Sequence, residues 1–145
     1  DESMLKKLAQ DLGVSGRVIF TGNVDRSVVT LYRRAGDIFV GPSRSEGQAH
    51  AFNSAMASYL PVVTTQEGGL AEFIFDEKRN PTKPTTAWAV DKDSPEQIAE
   101  AVEAILTNPE KVKKVTETAH AMTLEKFDWD NIAKAMRERV FGRVI

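Results

Sequence analysis

The chain has 145 residues, of which 41% are hydrophobic and 28% charged, a composition typical of one globular domain rather than of a disordered or membrane-embedded chain. Its formal net charge of -2 excludes a broad basic surface, so we predict no nucleic-acid partner. The lack of cysteine excludes disulfides, thiol catalysis and cysteine-based metal sites. Together with an N-terminus that has no signal-peptide pattern, it leads us to expect a cytoplasmic protein.

The first third of the chain alternates between helix and strand patterns. Residues 3–12 place apolar side chains on one helical face. Residues 17–20 have the composition of a short buried strand. A second helix is predicted to begin at Asp25 or Ser27 and to run through Tyr32.

The middle of the chain has two further apolar strand patterns, at residues 37–40 and 60–64, with a helix pattern at 49–58 between them. Gly68 and Gly69 are interpreted as the entry to a short helix. A fourth strand is predicted at residues 87–90.

Three helices are predicted to close the chain. Residues 94–97 read Ser-Pro-Glu-Gln, a capping box with proline at the first helical position. Asn108 is expected to begin the next helix, and Asp128 or Asp130 the last. Strands that alternate with helices and are apolar on both faces predict an α/β fold: a single Rossmann-like domain over residues 1–145, with a parallel sheet of about four strands and helices on both faces.

The segment after the strand at 37–40 is the most informative part of the chain. A Gly-Pro turn and a glycine-containing loop follow this strand and open the helix at 49–58. In a parallel sheet, such a loop directs its amides outward from the carboxyl edge, where anionic ligands are held.

These motifs, taken in order, resemble the C-terminal donor-binding domain of group 1 (GT4-type) glycosyltransferases. The resemblance covers nearly the whole chain and rests on VIFTG (18–22), AGDIFVGPS (35–43), EG (46–47), AMA (55–57), PVV (61–63), GG with Glu72 (68–72) and FDWD (127–130). It implies the GT-B fold, retaining hexosyl transfer, and a UDP-, GDP- or ADP-linked sugar as the partner. No metal and no cofactor are expected.

The resemblance also implies the donor-binding positions. In the family, a glutamate contacts the transferred sugar, the glycines after it approach sugar and phosphate, and a second glutamate eight positions later bonds the ribose. Here Ser54 stands where that second glutamate is usual, and Ala49 where a further glycine is usual. The donor-binding residues implied are Glu46, Gly47, Gln48, Ala49, His50, Ser54 and Gly22. No catalytic residue is assigned.

Comparison with the family predicts a domain truncated on its N-terminal side. Two strand-helix units, which carry basic residues for the diphosphate, precede the equivalent of this chain's first helix in the family, and their strands lie between those matching 17–20 and 37–40. Without those two strands, the remaining ones are expected to pair differently, to recruit strands from another copy or to leave open edges. Open sheet edges invite association, so either a homodimer or a rearranged sheet is expected. The acceptor-binding domain is also expected to be missing, so the chain alone is predicted to be inactive.

Several residues allow a structural interpretation beside the functional one. Glu46 suits a first-turn carboxylate that interacts with the helix dipole. His50 has no partner at metal-ligand spacing, and a surface or core-edge histidine is favoured. His120 is expected to be solvated. Trp88 and Trp129 are interpreted as packing residues rather than as a platform on which bases stack, because no basic run accompanies them.

Tyr59 stands at a helix exit where the family has glycine, so it either adopts a strained left-handed conformation or the turn differs.

Two functions remain in competition at the level of sequence. The first is a donor-binding domain of a hexosyltransferase. The second is a non-catalytic, self-associating or engineered fragment of such a domain. A flavodoxin-like regulatory module is disfavoured, because Asp37 and Asp91 are isolated and form no acidic cluster.

Overall fold

The computed structural model describes residues 2–47 and 50–143. They fall into two compact units, one ending at Tyr32 and the other beginning at Arg33, and each is described by itself. The single domain over residues 1–145 stays a prediction. No helix in the described ranges is long and apolar enough to cross a membrane.

The first unit contains helix α1 (Glu2–Asp11), a 3-10 turn (Ser15–Arg17) and the start of helix α2 (Arg26–Ala35). The predicted strand at 17–20 is wrong, because Arg17 ends the turn and residues 18–20 are irregular. The side chain of Ile19 is 85% exposed. A strand needs a neighbour for its backbone groups, and the described part of this unit contains no strand to supply one.

The second unit is built on a parallel sheet, which confirms the α/β prediction. Its strands are β1 (Phe39–Gly41), β2 (Val62–Thr64) and β3 (Trp88–Ala89), in the order β1-β2-β3. Val40 pairs with Val63, and Thr64 pairs with Ala89. The described residues thus form three of the about four predicted strands.

Helices cover both faces of this sheet. They are α3 (His50–Ala57), α4 (Pro95–Thr107), α5 (Pro109–Phe127) and α6 (Trp129–Arg139). Val62 and Val63 are adjacent on β2 and both fully buried, but they belong to different apolar clusters. Alternate residues of a strand point to opposite faces, so β2 has a core on each side. Val62 packs in the cluster that contains Phe52, Met56 and other side chains from α3, whereas Val63 packs with α4 and part of α5.

Two of the three predicted helix starts near the C-terminus have the capping residue that the sequence indicated. Asn108 caps α5 by accepting a hydrogen bond from the Lys111 amide at 3.1 Å. Asp128 caps α6 by accepting from two amides, that of Asp130 at 2.9 Å and that of Asn131 at 3.2 Å. The capping box predicted for α4 is wrong, because Ser94 makes no capping bond.

Two predictions about aromatic and histidine side chains are also wrong. Trp88 is buried as expected, but Trp129 is 77% exposed at the start of α6. His120 is not simply solvated: its ring stacks on Tyr59 with centroids 3.9 Å apart, and its Nδ1 lies 3.0 Å from the carbonyl oxygen of Ala57. The histidine therefore joins α5 to the C-terminal end of α3.

Candidate functional site at the carboxyl edge of the sheet

The loop at residues 42–47 leaves the sheet where β1 ends. A Cβ atom on Gly41 would lie 2.8 Å from the Phe52 ring, so glycine lets α3 pack closely on the strand end. Thr64 donates a hydrogen bond to the Gly41 carbonyl at 2.9 Å, and Thr65 donates one to the Ser43 carbonyl at 2.6 Å. The loop is therefore anchored to the C-terminal end of the neighbouring strand β2.

Glu46 is half-buried in this loop, and its carboxylate is held by a local contact. The Ser43 hydroxyl donates a hydrogen bond to Glu46 Oε1 at 2.6 Å. A bond from a hydroxyl to a carboxylate is among the stronger protein hydrogen bonds. It occupies one lone pair of one oxygen, so the carboxylate keeps capacity to accept from a ligand.

The turn after β2 presses directly on this loop. The Gly69 amide donates to the Glu46 carbonyl oxygen at 3.0 Å. A Cβ on Gly68 would lie 2.3 Å from that oxygen, and a Cβ on Gly69 would lie 2.0 Å from the Gly47 carbonyl oxygen. The interpretation of these glycines as a helix entry is incomplete, because they also make room for another loop.

The loop after β3 reaches the same edge through exposed ion pairs. Arg44 donates through Nε and Nη2 to Asp93 Oδ1, both at 2.8 Å. Lys92 lies 2.9 Å from a carboxylate oxygen of Glu67. Exposed pairs of this kind contribute about 0–1 kcal/mol each, so they orient the loops more than they stabilise the fold.

The sequence comparisons identify the family. Residues 1–122 match the sequence profile of the family described as glycosyl transferases group 1. The chain belongs to this family. It is 32% identical over 130 residues to an uncharacterised glycosyltransferase of Methanocaldococcus jannaschii, covering 90% of this chain and 32% of that protein. It is also similar to the GDP-mannose-dependent alpha-(1-6)-phosphatidylinositol monomannoside mannosyltransferase of Mycobacterium tuberculosis, at 27% identity over 95% of this chain and 36% of that one.

The structural comparison gives the same fold. The chain superimposes on HepE of Anabaena, solved in complex with UDP-glucose, with a TM-score of 0.82 and 19% identity. The match covers 97% of this chain and 36% of HepE. This group 1 glycosyltransferase chain therefore spans about a third of the length of the relatives it matches.

The positions that the family resemblance implied are placed as follows. Glu46 and Gly47 lie together in the anchored loop. His50 is the exposed first residue of α3, and Ser54 lies one turn later, where its hydroxyl donates to the His50 carbonyl at 2.8 Å. Gly22 lies in the first unit, exposed, with φ +62°.

Gln48 and Ala49 lie outside the described residues. The roles of all seven residues in donor binding stay predictions.

Sequence reasoning overlooked the contacts that Ser43, Thr65 and Gly69 make at this candidate site. Each acts through a contact with another loop or with a nearby carboxylate. The available signal was a pair of threonines at the end of β2 together with a serine at the end of β1, all at the carboxyl edge of a parallel sheet, where functional groups collect.

The carboxylate of Asp91, just beyond β3, accepts hydrogen bonds from the side chains of Gln97 and Arg79. The pKa of this carboxyl is lowered by the hydrogen bond from Gln97 and by the hydrogen bond and charge of Arg79. Gln97 donates to Asp91 Oδ2 and accepts from the Asp91 amide, both at 2.8 Å. This use of Gln97 explains why it does not complete a capping box with Ser94.

Metal ligands do not cluster in the described residues: no three histidine, aspartate or glutamate side chains there are placed to hold an ion. The groups that the described residues place at the carboxyl edge are the Glu46 carboxylate, loop amides, and the ion pairs of Arg44 with Asp93 and of Lys92 with Glu67.

Proposed function

We propose that this chain is the nucleotide-sugar-binding domain of a retaining group 1 glycosyltransferase, with a UDP-, GDP- or ADP-linked hexose as the ligand. The observation that carries the proposal is the anchored loop at residues 42–47. It holds the Glu46 carboxylate and the Gly47 backbone at the carboxyl edge of a parallel sheet. This is the edge at which open α/β sheets bind nucleotides.

The relatives support the ligand class. The mycobacterial mannosyltransferase is named for its dependence on GDP-mannose, and HepE was solved with UDP-glucose. Within this chain, Glu46 offers an acceptor for sugar hydroxyls, and the loop amides offer donors for sugar or phosphate oxygens. Arg44 and Lys92 lie at the same edge, and binding of the diphosphate there would require them to exchange their present partners, Asp93 and Glu67, for phosphate oxygens.

The reaction to which this site contributes is hexosyl transfer. The bond between the anomeric carbon and the diphosphate oxygen breaks, and the electron pair leaves with the nucleoside diphosphate. A bond from an acceptor hydroxyl oxygen to that carbon forms with the same anomeric configuration, and the hydroxyl proton is released. We propose that this chain binds the donor and does not complete the transfer alone, because it spans about a third of its relatives.

Ser54 makes donor binding weaker than in relatives with glutamate there. Its hydroxyl is already bonded to the His50 carbonyl within α3. A carboxylate that accepts from ribose hydroxyls contributes about 1.5–3 kcal/mol per bond. We therefore expect the affinity for the sugar nucleotide to be about tenfold or more lower than it would be with glutamate at this position.

Isothermal titration calorimetry of the chain with UDP-glucose, GDP-mannose and ADP-glucose tests the proposal. At least one sugar nucleotide should bind, and Glu46→Gln should lower its affinity about tenfold or more, because the charged acceptor is lost. Glu103→Gln, on the exposed face of α4, is the matched control and should bind as the unchanged chain does. Absence of heat for all three ligands at millimolar concentration removes donor binding as a function.

We propose self-association without catalysis as the second candidate, favoured by one observation on the sheet. The Phe39 amide donates to Pro61, so the backbone groups of Val40 face away from β2, and no strand in the described residues pairs with them. Open edges of this kind pair between copies. Light scattering should then give twice the 16.0 kDa chain mass, and Val40→Lys should return it to one chain; a monomer at all concentrations rejects this candidate.

A further inference from the structure

We propose that the Gly68-Gly69 turn is the positioning element that sets the direction of the Glu46–Gly47 peptide, so that the Gly47 amide faces the donor. The inference rests on the proposed function. It adds two residues that do not touch the ligand but determine how the loop presents its donor group.

The contact is between two backbones. The Gly69 amide donates to the Glu46 carbonyl at 3.0 Å, which fixes one end of the Glu46–Gly47 peptide. At the next peptide, the Gly47 carbonyl oxygen would lie only 2.0 Å from a Cβ on residue 69. Because both sides are backbone, a side chain added to the turn has no rotamer that relieves the overlap. The loop itself would have to move.

The fixed carbonyl determines where the amide points. All peptide bonds in the described residues are trans. In a trans peptide the C=O and N–H groups point in opposite directions. With the Glu46 carbonyl directed at Gly69, the Gly47 N–H is directed away from the turn. Gly47 is exposed, and a Cβ built on it meets no atom of the described residues within 4 Å, so the described residues do not crowd its backbone on that side.

Gly68 contributes through its conformation as well as its size. Its φ of +59° is in the left-handed region, and a Cβ there would lie 2.3 Å from the Glu46 carbonyl oxygen. The turn therefore needs glycine at one position for the backbone path and at both positions for the approach of the loop.

Glycine-to-alanine variants with matched controls distinguish the effect of the turn on the Glu46–Gly47 peptide from the effect of replacing any glycine by alanine. Gly69→Ala is paired with Gly16→Ala, where an added Cβ meets nothing within 4 Å. Gly68→Ala is paired with Gly13→Ala, which has φ +68° and equally open space. The readouts are the ¹H–¹⁵N chemical shift of the Gly47 amide without ligand, and the affinity for UDP-glucose, GDP-mannose and ADP-glucose.

Gly69→Ala and Gly68→Ala should shift the Gly47 amide resonance and lower donor affinity at least tenfold, whereas the controls should leave both unchanged. An unmoved Gly47 resonance, or an affinity within twofold of the unchanged chain, overturns the inference. If the unchanged chain binds no sugar nucleotide, the proposed function fails and the presentation of the amide to a donor fails with it. A shifted Gly47 resonance in the same sample then still reports the backbone contact.

Amide hydrogen exchange of the unchanged chain gives a test that does not depend on folding of the variants. The Gly69 amide should exchange slowly without ligand, because it donates to Glu46. The Gly47 amide should exchange fast without ligand and slow down on addition of the sugar nucleotide that binds. A Gly47 amide whose exchange is unaffected by a bound donor contradicts the proposal.

Discussion

Tyr59 shows how one residue can combine a backbone cost with a side-chain gain. Its φ is +59°, the conformation that favours glycine. The Leu60 amide donates to the Ala55 carbonyl at 3.1 Å and the Tyr59 amide to that of Met56 at 3.1 Å, which is the Schellman pattern. The backbone turn is thus the one that glycine usually makes. Tyrosine adds a side-chain contact that glycine could not make, because its ring stacks on that of His120.

Replacing Tyr59 by glycine and by alanine separates these two contributions. Both changes remove the stack on His120, but only alanine keeps a Cβ in the left-handed turn. We expect Tyr59→Gly to be more stable than Tyr59→Ala by about 1 kcal/mol. Urea unfolding measures the difference, and equal free energies of unfolding for the two variants would show that the turn is not strained.

Asp91 gives a prediction about pH. Its folded-state pKa is lowered from 3.8 by Gln97 and Arg79, so its contribution to stability is present above pH 3.8 and is lost as the pH falls through the folded-state pKa. Gln97→Leu should raise the pKa of Asp91 toward 3.8, because it removes the hydrogen bond that lowers this pKa most. An NMR titration of the Asp91 carboxyl measures this, and an unchanged pKa contradicts the assignment of the cause.

At the scale of elements, the cap of α6 is the most direct test of a local signal. Asp128 accepts hydrogen bonds from the amides of Asp130 and Asn131. Asp128→Ala should lower the free energy of unfolding by about 1 kcal/mol, whereas Asp128→Asn should preserve most of it, because asparagine also caps helices. Thermal or urea unfolding of the two variants compares them. A larger loss in Asp128→Asn than in Asp128→Ala would rule out capping as the role.

Elements that depend on neighbouring residues were predictable from the sequence, and those that depend on distant ones were not. The helix starts at Asn108 and Asp128 follow from residues within three positions. The predicted strand at 17–20 has suitable residues but no neighbour in its described unit. Two partners compete for the Gln97 side chain. It bonds to the amide and the carboxylate of Asp91, so it does not form the predicted capping box with Ser94.

In the candidate site, too, some features could be predicted from nearby residues and others depend on residues far apart in the chain. Glu46 and Gly47 were identifiable because the loop that holds them resembles the family's donor-binding motif. The contacts that fix them join residues more than 20 positions apart in the chain, from Thr65 to Ser43 and from Gly69 to Glu46. Such pairs become neighbours only when β1 and β2 lie side by side, so no local pattern indicates them.

At the scale of the molecule, the described sheet has one protected edge and one open edge. On β3, Asp76 accepts a hydrogen bond from the Ala89 amide at 3.2 Å and so occupies an outward-facing donor. On β1, the Val40 edge has no such cover in the described residues. The carboxyl ends of all three strands meet at one rim, and the loop at residues 42–47 is fixed there by contacts from the other two loops.

A crystal of the chain soaked with UDP-glucose, GDP-mannose or ADP-glucose is the most direct test of donor binding at this rim. We predict density for a sugar nucleotide beside the loop at residues 42–47, with a sugar hydroxyl within hydrogen-bond distance of the Glu46 carboxylate and a ligand oxygen on the Gly47 amide. Density for the ligand at a different surface, with Glu46 bonded to Ser43 alone, would contradict the assignment of this loop as the donor site.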